Sequence, residues 1–161
     1  MPATSGAASK SGLTIDRETN TITLVREFGA QPPVIFDAWT KPEHVACWWD
    51  PTGDRLAECE IDLRRGGSFK FVSQAHPEMP FAGVYREIQP PERLEFDALG
   101  SKGRVSLQTA GAGTRMIVEI ECASAEHFEQ FLKMGVDAGT AQTLDNLVAY
   151  IGLRSAALAS A

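Results

Sequence analysis

Three polar side chains in the middle of the chain have the chemistry of acid–base catalysis. His76 and Glu78 lie in one loop-forming segment, and Tyr85 follows in the next strand-forming stretch. An imidazole, a carboxylate and a phenol transfer protons when they converge on a bound substrate. His-x-Glu alone defines no site, so solvated loop residues are the stronger interpretation of His76 and Glu78. Tyr85 has a second role open to it, which is to offer its hydroxyl to a ligand.

The remaining polar candidates carry less information. His44 and His127 stand far from His76 in the sequence, whereas a metal site needs several ligands at a defined spacing. We therefore expect no metal. The sequence shows no Ser-His-Asp order, nucleophile elbow or phosphate loop, and we expect no cofactor. Arg64 and Arg65 have the charge to meet a carboxylate, but solvated turn residues are the favoured interpretation.

Large apolar side chains recur through the chain as a plausible cavity lining. They are Trp39, Trp49, Phe69, Phe71, Phe81, Tyr85, Phe96, Met116, Phe131 and Met134. Taken singly, each is better explained as part of a solid core, but as a set they favour a ligand cavity. Trp39, Trp48 and Trp49 fall within eleven positions. For Trp39 and Trp48 core packing is favoured, and for Trp49 a place at the mouth of a cavity is equally plausible.

Alternating apolar and polar residues predict the strands that hold these side chains. Strands are expected at residues 20–28, 55–63, 68–73, 81–88, 93–99, 104–109 and 114–122, with two short helices between the first and the second. Gly83 lies within the strand expected at residues 81–88, and a glycine there predicts a bulge or the close approach of another group. The short connections between strands predict an antiparallel meander.

A long amphipathic helix is predicted from Ser124 to Leu153. Apolar or small residues recur there at intervals of three and four, and Ser124 is a good N-cap. Gly135 and Gly139 both fall on the apolar stripe. Each costs about 1 kcal/mol relative to alanine inside a helix, which indicates close packing or space kept for something else.

Several segments together resemble a known superfamily. They are Ala38-Trp39-Thr40-Lys41-Pro42-Glu43-His44, Trp48-Trp49, residues 59–67, Gly83-Val84-Tyr85-Arg86-Glu87-Ile88 with residues 90–94, and Gly113-Thr114-Arg115-Met116. The combination resembles the START-like (SRPBCC) superfamily, and within it proteins related to the C-terminal domain of the activator of the heat-shock-protein-90 ATPase. The resemblance covers about residues 21–151. It implies a helix-grip fold with a small-molecule cavity between helix and sheet, and only weakly a chaperone link.

The expected fold is therefore α+β: a curved antiparallel sheet of about six or seven strands around a long C-terminal helix, with two short helices after the first strand. We expect a disordered lead-in at residues 1–13, one domain at residues 14–153 and a frayed tail at residues 154–161. The net charge of −6 disfavours nucleic acid and anionic membranes as partners. No apolar run approaches the ~20 residues of a membrane span. Three widely spaced cysteines fit free thiols in the cytoplasm.

Three functions remain open at this point. The leading hypothesis is a protein that binds a small apolar or amphipathic molecule in the cavity. The second is a cyclase, dehydratase or hydrolase that uses the same cavity and needs a buried ionisable group facing it. The third is an interaction module, chaperone-linked or homodimeric, which predicts an exposed apolar patch that includes Trp49.

Overall fold

Eight strands form one antiparallel sheet, and four helices pack against it within the part of the chain that is described. The computed structural model describes the backbone of residues 12–160 and the side chains of residues 12–153. The strands are β1 (Leu13–Asp16), β2 (Thr21–Phe28), β3 (Glu58–Ile61), β4 (Ser68–Val72), β5 (Phe81–Gln89), β6 (Arg93–Ala98), β7 (Ser101–Ala110) and β8 (Gly113–Cys122). The helices are α1 (Pro32–Thr40), α2 (Pro42–Trp48), α3 (Ala125–Lys133) and α4 (Val136–Ser160).

The strands follow the order β1-β2-β8-β7-β6-β5-β4-β3 across the sheet. From β3 to β8 each strand pairs with its neighbour in sequence, and β2 then pairs along the free edge of β8. This arrangement confirms the predicted antiparallel meander. Short connections make such pairing the simplest outcome, because a strand that turns back within a few residues meets the strand it has just left.

The core lies between the sheet and the C-terminal helices. Ile22 and Leu24 of β2 are fully buried, and so are Leu144 and Leu147 of α4. Arg26 has the inward parity of β2 and donates a hydrogen bond from Nε to the Asp145 carboxylate of α4, at 2.9 Å. The inward-facing charge at this strand end is therefore paired with the helix that the sheet holds.

The helix predicted to run from Ser124 to Leu153 is in fact two helices. Ser124 is the N-cap of α3, as expected, and its hydroxyl accepts a hydrogen bond from the His127 amide. Gly135 separates α3 from α4 with a φ of +78°, which ends a helix and which residues with side chains rarely adopt. The apolar spacing continues through this break, so periodicity alone did not reveal it.

The strand prediction needs three corrections. β1 was missed, because a four-residue edge strand carries too little alternation to stand out. The sheet therefore has eight strands rather than six or seven, and the two short helices follow the second strand rather than the first. β7 begins at Ser101 rather than Arg104, so Gly103 lies within a strand and not in a turn.

The ends of the chain are described only in part. Most of the segment predicted to be disordered, residues 1–11, lies outside the described residues, while Leu13 at its end already belongs to β1. α4 continues to Ser160, beyond the predicted helix end at Leu153. None of the helices described has both the length and the apolar character needed to cross a membrane.

Candidate ligand-binding site

A cavity of about 270 Å³ lies between the sheet and α4. Its lining comes from strands β5 to β8, from the turn between β6 and β7, from the loop after α2, and from helices α1, α3 and α4. The lining residues are Trp39, Trp49, Pro51, Phe81, Phe96, Ala98, Leu99, Ser101, Gly103, Val118, Ile120, Phe131, Val136, Gly139, Thr140, Thr143 and Leu144. This space is the main cavity. Among these residues the polar side chains are three hydroxyls and the Trp indoles, and none is charged.

Two of the three hydroxyls are already occupied by backbone carbonyls. Ser101 donates to the Ala98 carbonyl at 2.8 Å, and Thr143 donates to the Trp49 carbonyl at 3.0 Å. Thr140 is the third. The main cavity therefore presents an almost wholly apolar surface to whatever enters it.

Glycines in the strands allow aromatic rings to lie flat against the sheet. Phe96 pairs with Gly103 across β6 and β7, and a Cβ at Gly103 would lie 2.5 Å from the Phe96 ring. Phe69 pairs with Gly83 in the same way, and a Cβ at Gly83 would lie 2.6 Å from the Phe69 ring. The close approach predicted at Gly83 is confirmed. Any side chain at these two positions would displace the ring above it.

Gly139 opens the helical wall of the main cavity. A Cβ built at this position meets no atom within 4 Å beyond its own helix and its chain neighbours. Unlike Gly135, Gly139 does not have a positive φ and lies inside α4. The missing side chain therefore enlarges the cavity and is not required by the backbone.

A second, much smaller cavity adjoins the same aromatic side chains. Its volume is about 10 Å³, and it is lined by Trp39, Val45, Trp49, Phe69, Phe71, Phe81, Tyr85, Leu94 and Phe96. Trp39, Trp49, Phe81 and Phe96 line both cavities. These four rings are called the shared wall below.

The segment that carries Trp49 is held by the C-terminal helix. Thr143 binds the Trp49 carbonyl, and the Asn146 amide donates to the Asp50 carbonyl at 3.0 Å. The buried Asp50 carboxylate accepts hydrogen bonds from Thr52 and Ser73. Burial by itself raises the pKa of Asp50, but these hydrogen bonds outweigh it and bring the pKa below its ordinary value.

Leu99 borders the main cavity from the turn between β6 and β7. It has a φ of +54° and Gly100 has +77°, the two positive angles of a tight hairpin turn. A positive φ at a leucine costs roughly 1–2 kcal/mol of conformational free energy. The residue is 58% exposed and yet lines the cavity. The fold therefore tolerates backbone strain at a position where a partly exposed leucine borders the main cavity.

The structure brings together most of the predicted lining residues. Trp39, Trp49, Phe81, Phe96 and Phe131 line the main cavity, while Phe69, Phe71 and Tyr85 line the small one. Met116 is fully buried, and its sulfur accepts a hydrogen bond from the Trp39 indole at 3.3 Å.

Met134 does not belong to the lining. It is 72% exposed, because α3 ends at Lys133 and the chain turns at Gly135. A continuous helix would have kept Met134 within the pattern of the apolar stripe, and the unpredicted break is what overturns this assignment.

Sequence reasoning missed the smaller residues of the lining. Gly103, Thr140 and Thr143 present little apolar surface, whereas the predicted lining consisted of aromatic rings and methionines. Gly139 was singled out in advance, as a sign of close packing or of open space. Val118 and Ile120 had a usable signal. They have the same strand parity as Met116, which was identified.

The polar candidates lie elsewhere. His76 and Glu78 contact each other at 3.5 Å, but their side chains are 69% and 66% exposed. Arg64 pairs with Asp62 in an exposed turn, as expected. His44 shares a 2.5 Å hydrogen bond with the Tyr150 hydroxyl. Within residues 12–153, whose side chains are described, no group of three or more His, Cys, Asp or Glu side chains is arranged to hold a metal ion.

The architecture defines the protein as a helix-grip domain, in which a curved antiparallel sheet holds a C-terminal helix over a cavity. The sequence model of the family described as activator of Hsp90 ATPase homolog 1-like protein matches residues 29–152, and the chain belongs to this family. Membership supports a ligand-binding type of domain in general terms. No curated protein is similar enough in sequence to count as a match.

Solved structures agree with this fold. A protein from Nitrosomonas europaea is 24% identical with a TM-score of 0.78, over 88% of this chain and 99% of that one. A protein from Chromobacterium violaceum is 26% identical with a TM-score of 0.67, over 80% and 95%. An AHSA1-like protein from Aeromonas hydrophila is 21% identical with a TM-score of 0.67, over 83% and 94%. The predicted superfamily and fold class are thereby confirmed.

Proposed function

We propose that the protein binds a small apolar or amphipathic molecule in the main cavity. The observation that carries this proposal is the space itself, about 270 Å³ with a lining that is apolar except for three hydroxyls and the indole N–H groups. An engineered apolar cavity of about 150 Å³ is enough to bind benzene. By the same measure, a molecule of two fused rings is a suitable size for this cavity.

The composition of the lining favours binding over acid–base catalysis. Among the described residues of the main cavity, none has a carboxylate, an imidazole, an amine or a phenol. General acid–base chemistry requires such a group within hydrogen-bonding reach of the reacting atom. Of the three groups that the enzymatic hypothesis named, His76 and Glu78 lie on the surface, and Tyr85 lines the small cavity but not the main one.

The interaction hypothesis relied on an exposed Trp49. Trp49 instead packs against Phe71 and Phe81, with ring centroids 4.9 Å and 5.0 Å away. Its place in the shared wall supports a role inside the cavity. Neither a chaperone nor a second copy of the chain is needed to explain why this ring is present.

Naphthalene is the probe that tests the proposal. At a binding free energy of about −0.6 kcal/mol for each of its ten non-hydrogen atoms, the total is about −6 kcal/mol, which corresponds to a Kd of tens of micromolar. Titration calorimetry should detect this with the wild-type protein. Gly139→Leu places a branched side chain in the cavity and should weaken binding at least about tenfold.

Gly152→Leu is the matched control. Gly152 lies in the same helix, is exposed, and likewise has no atom within 4 Å of a built Cβ. It does not belong to the described lining of the cavity, so binding should be unchanged. If naphthalene does not bind the wild type, or binds equally well to Gly139→Leu, the proposal is wrong.

A further inference from the structure

The hydroxyl of Tyr85 is a buried polar group with an unusual environment. Tyr85 lies in β5 and is 2% exposed, and its hydroxyl makes no hydrogen bond to any of the described residues. No described side-chain polar atom is both sealed from open space and without a partner. The hydroxyl oxygen therefore borders open space, and the cavity that Tyr85 lines is the small one. Buried hydroxyls almost always have a partner, so this exception needs an explanation.

The size of the small cavity limits what that partner is. Its volume of about 10 Å³ is close to the minimum that admits one water-sized group. A ring does not fit, but a single oxygen atom projecting from a larger molecule does. The larger molecule has its own space on the other side of the shared wall, in the main cavity.

The shared wall is not held equally at all points. The Trp39 indole donates to Met116, and the neighbouring Trp48 indole donates to the Ala38 carbonyl at 3.0 Å. The Trp49 indole has no such hydrogen bond to any described residue, and both Trp49 and Phe81 are only partly buried. These two rings are therefore the part of the wall that can move aside most easily to let an oxygen atom through.

The surroundings of Tyr85 select a neutral acceptor. The lining of both cavities contains no charged side chain among the described residues. Burial, and to a lesser extent the nearby Cys59 thiol, raise the pKa of Tyr85 well above its ordinary value. The phenol thus keeps its proton at neutral pH and acts as a hydrogen-bond donor. A carboxylate or an ammonium group on the ligand would have no counter-ion here and would have to be desolvated at high cost.

From these observations we propose that Tyr85 is the ligand's polar contact, and that the ligand is a two-ring apolar molecule bearing one neutral hydrogen-bond acceptor, such as a ketone or ether oxygen. The rings occupy the main cavity, and the oxygen passes between Trp49 and Phe81 to accept a hydrogen bond from the Tyr85 hydroxyl. This inference rests on the function proposed above and adds the chemical class of the ligand.

A pair of probes with the same shape isolates the hydrogen bond. 2-Acetylnaphthalene has a carbonyl oxygen where 2-isopropenylnaphthalene has a methylene group. With the wild-type protein, calorimetry should give a Kd for the ketone about five to ten times lower than that for the hydrocarbon, as expected for one hydrogen bond to an otherwise unpaired donor. In Tyr85→Phe the preference for the ketone should disappear, because its oxygen would be desolvated without a donor, and the ketone should bind no more tightly than the hydrocarbon. The Kd for the hydrocarbon should stay within about twofold of the wild-type value.

Tyr150→Phe is the matched control, because it removes a phenol that contacts His44 and does not belong to the described lining of either cavity. It should keep the wild-type preference for the ketone. Infrared spectroscopy gives a second readout that does not depend on affinity. The carbonyl stretch of bound 2-acetylnaphthalene should lie at lower wavenumber in the wild type than in Tyr85→Phe.

The outcomes separate the two proposals. If the wild type binds both probes equally well, the role of Tyr85 is wrong and the proposed function stands. If the preference for the ketone persists in Tyr85→Phe, another donor makes the contact and the inference is wrong. If neither probe binds, the proposed function fails and the inference fails with it.

Discussion

Replacing Gly139 with alanine tests whether the main cavity is real, through its effect on stability. Alanine inside a helix is favoured over glycine by about 1 kcal/mol. A methyl group buried in apolar surroundings adds up to about 0.8 kcal/mol, and less where neighbours are distant, as they are here. Gly139→Ala should therefore stabilise the protein by about 1–2 kcal/mol. For a domain of this size that raises Tm by roughly 2–8 °C.

Gly135→Ala should have the opposite effect. Its φ of +78° is costly for any residue with a Cβ, by roughly 1–2 kcal/mol. The reduced freedom of the unfolded chain recovers about 0.4–1 kcal/mol of this. A net loss of about 1 kcal/mol is expected, although the space around Gly135 is open.

Urea unfolding followed by circular dichroism measures both variants, and an unchanged slope shows that the unfolding transition is comparable. Gly152→Ala is the control for helix propensity alone, because its methyl group points to solvent. If Gly139→Ala destabilises the protein, a side chain at this position collides with atoms that the structure does not place there, and the cavity is smaller than described. If Gly135→Ala and Gly139→Ala change stability in the same direction, the break between α3 and α4 is wrong.

Two further predictions concern ionisable groups. The folded pKa of Asp50 lies below the unfolded value, so its carboxylate contributes stability that is complete above about pH 4 and is lost as the pH falls through the folded pKa. Asp50→Asn should cost about 1–3 kcal/mol at pH 7, and urea unfolding at pH 3 should show a smaller difference from wild type. An equal difference at both values would contradict the assignment. Burial raises the pKa of Cys59 to about 11 from 9.0. Iodoacetamide at pH 8 should modify Cys59 about 100-fold more slowly in the folded protein than in the urea-unfolded chain, as peptide mass mapping would show, since the thiolate is the reactive form. Equal rates would mean that this thiol is not desolvated.

Strands β2 to β8 were predictable because each one carries its own alternation of apolar and polar residues, which the short β1 lacks. Alternation predicted the strand that carries Met116, and the antiparallel order followed from short connections. The same local signal is absent where the structure depends on one backbone angle. Gly135 and Gly139 look alike in the sequence and fall on the same stripe, yet one ends a helix and the other opens a cavity.

The candidate site was predictable only in part, for a related reason. Aromatic residues such as Phe81 and Phe96 are conspicuous, and both line the main cavity. A cavity, however, is the space that remains after all side chains are placed, and small residues such as Thr140 create much of it. Which of the rings would border that space, and which would fill the core, depends on distances between elements that no single segment encodes.

The three tryptophans have an optical consequence. Their ring centroids lie 4.9–6.3 Å apart, which is close enough for excitation energy to transfer from one indole to another before fluorescence is emitted. Trp39 and Trp49 both line the two cavities, and of these two only Trp49 is partly exposed. The wavelength of the protein's tryptophan emission therefore depends on the surroundings of Trp49. Unlabelled protein can report the arrival of a compound by its own fluorescence, so a chemical library can be screened against it without a dye or a labelled competitor.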